Sequence, residues 1–251
     1  GLAERVMVLE YHGIDYDMYD GAYASSPAVF ASQLETLCKE GYQFFDLIQM
    51  TAFINRLGEM PAKSIMLTND VTAKSVSQIP EISRLMHEAE EKWACHPHMT
   101  LFVVTDDMRS DQAEICKADA CWGWLREAAA EPSLFSLGVH TATNLPYGQA
   151  SPAWHLEDML NAREAMQKEL GIAVNALSWP YEICPLDLKP YQDAGFVLGF
   201  GGVSKPLSQN YAELDDPAPL CLPRMLPPNL SGTSIRPEGL SFEEMLQAAL
   251  Y

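Results

Sequence analysis

Short apolar, β-rich runs alternate with amphipathic helical stretches along the whole chain, which restricts the fold to repeated β-α units around a mainly parallel sheet. Seven runs read as strands: Arg5–Tyr11, Gln43–Asp46, Ser64–Thr68, Met99–Val104, Leu134–Val139, Val174–Trp179 and Phe196–Phe200. Between them the spacing predicts helices over Pro27–Lys39, Ile48–Leu57, Ile79–Lys92, Cys121–Ala130, Trp154–Leu170 and Leu186–Ala194. The first of these shows the logic. Ser26 stands at the N-cap, Pro27 in the first turn, Phe30, Leu34 and Leu37 on one face, and Gly41 just past the end. Seven strands with their crossovers predict an α/β fold, a distorted (β/α)7-type barrel. With 251 residues and 48% hydrophobic content there is enough chain for one large core, so residues 1–251 read as a single domain. The segment Gln209–Gly239, rich in Pro, Asn and Ser, reads as a long surface excursion closing one end of the barrel before a last helix, Ser241–Leu250.

The formal net charge of −18 repels nucleic acid and anionic membrane, and no Lys/Arg cluster offsets it. No apolar run approaches the roughly 20 residues needed to cross a bilayer. The start, Gly1-Leu2-Ala3-Glu4-Arg5, shows no charged-then-apolar export signal, so the expectation is a soluble chain from which any signal peptide has been removed. Six cysteines are too sparse in a domain this long to define a disulfide framework, and compartment is not legible from them.

In β/α barrels chemistry gathers where the strands end, and the residues found there are coherent. Glu10-Tyr11-His12-Gly13-Ile14 follows the first strand and Thr68-Asn69-Asp70-Val71 the third. His140-Thr141-Ala142-Thr143-Asn144 follows the fifth and Trp179-Pro180-Tyr181-Glu182 the sixth. A carboxylate, an imidazole and an amide on neighbouring loops can hold a divalent metal, which would acidify a water or polarise a carbonyl; a second imidazole, His12, can protonate a leaving group.

These motifs, in this order, resemble the polysaccharide deacetylase superfamily, and within it the exported branch acting on poly-N-acetylglucosamine exopolysaccharide, from about Val6 to Arg224. Smaller echoes keep the same register: Ser26-Pro27 with Phe30 and Leu34 before Gly41-Tyr42, and Asp193-Ala194-Gly195-Phe196. The family's Thr-Phe-Asp-Asp-Gly motif is similar to Leu67-Thr68-Asn69-Asp70-Val71; the resemblance implies Asn69 at the general base and Asp70 at the metal. His140 and Asn144 fall on the two metal-binding histidines of the His-Thr-x-x-His motif. Trp179-Pro180-Tyr181-Glu182 looks like the Tyr-Pro-Tyr-Gly loop, with Tyr181 supplying an oxyanion N–H and Trp179 and Pro180 lining the substrate site. Leu222-Pro223-Arg224 resembles a Leu-Pro-Arg segment whose arginine orients the base, and His12 falls on the acid. The implied function is metal-dependent N-deacetylation of an N-acetylated polysaccharide with Zn, Co or Ni, outside the cytoplasm (periplasmic or secreted), alone or within an export or modification assembly. The alternative is a catalytically inactive, glycan-binding relative.

Two departures bear on activity. Asn69 is neutral and takes no proton from water, where a general base typically contributes ~10²–10⁴ in rate. Shifting the register by one residue puts Asp70 at the base and Val71, a non-ligand, at the metal, so either register loses one acidic residue. Asn144 offers an amide oxygen where a nitrogen ligand is expected. Three other clusters invite sharper readings and favour plainer ones. Cys95-His96-Pro97-His98 has zinc-ligand side chains but precedes the fourth strand, at the stability end of a barrel. Asp106-Asp107 reads as an acidic surface loop, and Trp122 and Trp124 as core filling.

Overall fold

The computed structural model describes residues 1–15, 25–201 and 211–250. All seven expected strands are present: β1 (Arg5–Tyr11), β2 (Gln43–Phe44), β3 (Ser64–Val71), β4 (Met99–Val103), β5 (Phe135–Val139), β6 (Ala176–Ser178) and β7 (Leu198–Phe200); β8 (Ala212–Glu213) is an addition. The helices are α1 (Pro27–Lys39), α2 (Leu47–Ile54), α3 (Ile79–Trp93), α4 (Ala120–Ala129), α5 (Pro152–Leu170), α6 (Lys189–Asp193) and α7 (Phe242–Leu250). The helix starts follow from side-chain chemistry. Ser26 accepts from the Val29 N–H at the head of α1, and Asp46 and Gln49 form a reciprocal capping box at α2.

The sheet runs β7-β6-β5-β4-β3-β1-β8, with β2 against the beginning of β3. Only β8 is antiparallel to its neighbour. The sheet curls into a distorted barrel, and one segment bridges its two ends. Leu222 pairs in parallel with Phe200 of β7, and Met225 with Leu9 of β1. The Leu222 N–H donates to the Gly199 carbonyl at 2.8 Å, and the Met225 N–H to that of Val8 at 2.8 Å. This corrects the surface-excursion reading of Gln209–Gly239. Its first two residues lie outside the described ones, but Leu220, Leu222, Arg224 and Met225 are fully buried, because they satisfy the otherwise open strand edges. Gly199 permits the approach: a Cβ there would lie 2.3 Å from the Leu220 carbonyl oxygen.

The strand pleat sorts side chains into two layers. Met7, Leu9 and Tyr11 of β1, with Ile65, Leu67 and Val71 of β3, face outwards to Phe30 and Leu34 of α1 and Ile82 of α3. Val6, Val8 and Met66 face inwards to Phe102, Ala176, Leu198, Phe200 and Leu222. Each such fully buried large apolar side chain contributes about 1.5–3 kcal/mol. Met50, Phe53 and Ile54 of α2 join the inner cluster beside Ala3 and Val6, plugging the end where β1 begins. Further along the same inward rows, two residues past Val8 and four past Met66, come Glu10 and Asp70.

The six cysteines pair as Cys38–Cys95, Cys116–Cys121 and Cys184–Cys221, with Cα separations of 5.4, 4.8 and 6.1 Å. The expectation of no framework is thereby corrected: the curl brings together partners 57 and 37 residues apart, which spacing cannot reveal. Among the described residues no helix is long and apolar enough to cross a membrane.

Candidate active site

The mouth of the barrel holds a cavity of about 350 Å³ lined by His12, Asp70, His140, Asn144, Trp179 and Tyr181, together with Glu10, Thr72 and Glu182. Segments distant in the chain therefore do meet at one rim. Beneath the cavity lies Arg224, fully buried, with Nη1 and Nη2 each 2.9 Å from an oxygen of Asp70 and Nε 3.1 Å from Glu10 Oε1. Nη1 also donates to Thr68 Oγ1. Arg236 clamps both oxygens of Glu182 and approaches Glu10 Oε1 at 3.6 Å. Carboxylates and guanidiniums thus alternate: Glu182, Arg236, Glu10, Arg224, Asp70.

This ladder sets the protonation states. Burial pushes the Glu10 and Asp70 carboxyls up, but for Glu10 Arg224 and His12, and for Asp70 Arg224 and His140, outweigh it and hold both below the usual carboxylate range. His12 Nε2 lies 2.9 Å from Glu10 Oε2; burial lowers this imidazole, yet that bond and the charges of Glu10 and Asp70 raise it overall. Glu182 goes the other way, pushed up to about 8 by burial and by Glu10 beside it.

His140 is buried, and desolvation keeps it below its ordinary value despite Asp70. Its Nδ1 lies 2.6 Å from Ser178 Oγ, which donates to Asp70 Oδ1 at 3.1 Å. Since the serine spends its one proton on Asp70, Nδ1 must carry the imidazole proton and Nε2 the lone pair.

Asn69 stands apart. It takes the outward pleat position between Leu67 and Val71, is buried, does not line the cavity, and accepts the Gly13 N–H at 3.1 Å. Val71 is buried in the outer layer. The inward carboxylate of this motif is Asp70 alone. Trp179 lines the cavity with its indole N–H donated to the Leu220 carbonyl, while Pro180 is buried beside it.

Glu10, His12 and Asp70 each present a ligand atom within 4.8 Å of the others. Such oxygen and nitrogen donors fit a divalent cation in type, with His140 Nε2 and the Asn144 amide on the same cavity. Sequence reasoning set Glu10 and Glu182 at the strand ends without giving them a role, gave none to Ser178, and missed Arg236. The step of two from Val6 and Val8 to Glu10 and His12 marks the first; Arg236, far along the chain, has no such signal.

The plainer readings of the remaining clusters hold. Cys95 is in a disulfide, and His98 bonds Ser133 O and Ser136 Oγ through its two ring nitrogens. Asp107 accepts the Ala73 N–H, joining two loops, and Trp122 is buried.

No protein-family profile and no curated protein matches the sequence. Solved structures do match in shape. A polysaccharide deacetylase from Bacillus cereus superposes with a TM-score of 0.74 at 17% identity, covering 98% of this chain and 69% of that one. IcaB from Ammonifex degensii gives 0.71 at 18% identity, covering 99% and 98%. The deacetylase PplD of Streptococcus pyogenes, solved in complex with acetate, gives 0.67 at 22% identity, covering 98% of each. The chain has the fold of the polysaccharide deacetylases.

Proposed function

We propose that the mouth of the barrel hydrolyses acetamido groups on an N-acetylated polysaccharide. The observation that carries this reading is one cavity shared by a carboxylate held ionised, Asp70, and an imidazole biased towards its protonated form, His12. Asp70, oriented by Arg224, takes the base role in place of Asn69 and removes a proton from the attacking water as its oxygen bonds to the acetyl carbon. The Tyr181 N–H stabilises the oxyanion, and His12 gives its proton to the nitrogen as the C–N bond breaks, leaving acetate and a free amine. His140 Nε2 and Asn144, with Asp70 beside them, would hold a Zn, Co or Ni ion, which when bound supplies a Lewis acid for the acetyl oxygen. Trp179, backed by buried Pro180, forms the wall against which the sugar rests.

Residues 1–251 are taken as one domain working outside the cytoplasm, alone or in an export or modification assembly; three disulfides suit an oxidising compartment. Acetate release from N-acetylglucosamine oligomers, with Zn²⁺, Co²⁺ or Ni²⁺ added, tests the reaction. Asp70→Asn and His12→Gln should each lose about 10²–10⁴ in rate. No acetate from the unmodified chain under any of these conditions overturns hydrolysis.

A second reading, glycan binding without turnover, is favoured by Arg224 occupying both oxygens of Asp70 and by Val71 and Asn144 standing where ligands are expected. It predicts saccharide affinity indifferent to chelator.

A further inference from the structure

The cavity, at about 350 Å³, is at the small end for ligand pockets and accommodates about one sugar ring. A polymer must therefore leave it across the rim, and the rim is not uniform. The connections after β5 and β6, neighbouring strands, carry unusually exposed apolar side chains: Tyr181 at 71%, Ile183 at 43% and Leu186 at 104% in one, Trp154 at 39% in the other. Single exposed apolar residues are ordinary, but four on adjacent connections, one of them lining the cavity, mark a contact surface.

The surface is held firmly. The Trp154 ring meets His155 edge-on at 5.3 Å, and His155 lies 4.9 Å from Tyr147, three residues beyond cavity-lining Asn144. His155 Nε2 accepts the Ala150 N–H, fixing the loop. On the other connection, Cys184–Cys221 ties the stretch bearing Tyr181 and Ile183 to the segment that closes the barrel. Tyr181 and Glu182 adopt φ of +54° and +63°, a cost to non-glycine residues that holds Tyr181 outward at the cavity edge. A rim ordered in advance loses little freedom on binding.

We infer that Tyr181, Ile183, Leu186 and Trp154 form an extended subsite that receives the sugar residues flanking the one in the cavity. Pyranose rings offer an apolar C–H face, and aromatic rings offer a flat electron-rich face to match it. The inference deepens the deacetylase reading by naming the residues that hold the polymer on either side of the reacting sugar, and it rests on the same cavity.

Binding of N-acetylglucosamine and its di-, tri- and tetrasaccharide, followed by calorimetric titration, tests it without requiring turnover. Affinity should rise with length by about tenfold or more, the scale of one well-seated aromatic contact. Trp154→Ala, and separately Ile183→Ser with Leu186→Ser, should remove most of that rise and leave the affinity for the monosaccharide within about twofold. Affinity independent of length, or a rise that survives both variants, overturns the subsite. Acetate release without length dependence sinks the subsite and spares hydrolysis. Length-dependent binding lost in Trp154→Ala, with no acetate formed, keeps the subsite and sinks hydrolysis. Binding of none of these saccharides overturns both.

Discussion

The two ends of the barrel both gather histidine and acid around a cavity, and they use them in opposite ways. Where the strands begin, a cavity of about 550 Å³ is lined by Asp46, His96, His98 and the Cys38–Cys95 disulfide. Apart from exposed His96 its chemistry is spent: Asp46 caps α2, both cysteines are oxidised, and each ring nitrogen of His98 has a neutral partner. The mouth cavity is smaller, yet its histidines are tied to carboxylates that are tied in turn to buried guanidiniums. Volume and residue type are therefore poor guides to a site. What a side chain can do depends on whether its partners leave it charged and facing solvent-accessible space.

The largest difference between the ends should appear on removing Arg224. Arg224→Met strands Glu10 and Asp70 as buried carboxylates without their counter-ion and should cost about 3–5 kcal/mol in urea denaturation. Adding Glu10→Gln and Asp70→Asn should recover most of that loss, since the penalty lies in unpaired charge. A loss below about 1 kcal/mol would mean the ladder is solvated and the contrast between the ends is false. The disulfides come next. Cys38→Ser with Cys95→Ser at the plugged end, and Cys184→Ser with Cys221→Ser at the mouth, should each cost about 2–4 kcal/mol. Only the second pair should weaken saccharide affinity, because Cys184 follows Glu182 and Cys221 precedes Arg224. Equal effects on binding would show that the mouth loop keeps its shape unstapled.

The strands and helices were legible because their periods are local: Val6, Val8, Met7 and Leu9 already declare two faces of β1. The meeting of His12, Asp70, His140, Asn144, Trp179 and Tyr181 at one rim followed from strand ends alone. The barrel closure was not legible. Pro219 and Pro223 make the closing segment read as loop, since proline donates no hydrogen bond, yet Leu222 and Met225 supply the needed N–H groups and Pro219 an acceptor. Asn69 lies outside the cavity for a related reason. A motif match takes Asn69 and Asp70 together, whereas the pleat sends neighbours to opposite faces, so only one of the pair can look into the cavity.

That alternation makes Asn69→Asp a sharp probe. If Asn69 were a lost base, the exchange would raise acetate release. In the outward layer, with the Gly13 N–H as its bonded partner, a new carboxylate gains no guanidinium, so stability should fall by about 1–3 kcal/mol with no gain in rate. A rate increase of tenfold or more, read in the same acetate assay, would return the base role to position 69 and unsettle that of Asp70.

The smallest effect concerns the plugged end and pH. Burial lowers the His98 imidazole below its ordinary value, outweighing the Ser133 carbonyl that raises it. In the unfolded chain the same group takes up a proton near pH 6.5, so below that pH the unfolded state binds more protons and acid favours unfolding. The stability His98 contributes is therefore complete above about pH 6.5 and declines as pH falls towards its folded-state value. Glu182 and His12, both raised, pull the other way as pH falls, so the measurement is a difference: between pH 7.5 and 5 the melting temperature of the unmodified chain should move downwards relative to that of His98→Gln, which keeps a donor and an acceptor but does not titrate. His140 and His155, also lowered by burial, act alike in both proteins, so an unchanged pH dependence in His98→Gln would mean that His98 contributes nothing to acid sensitivity.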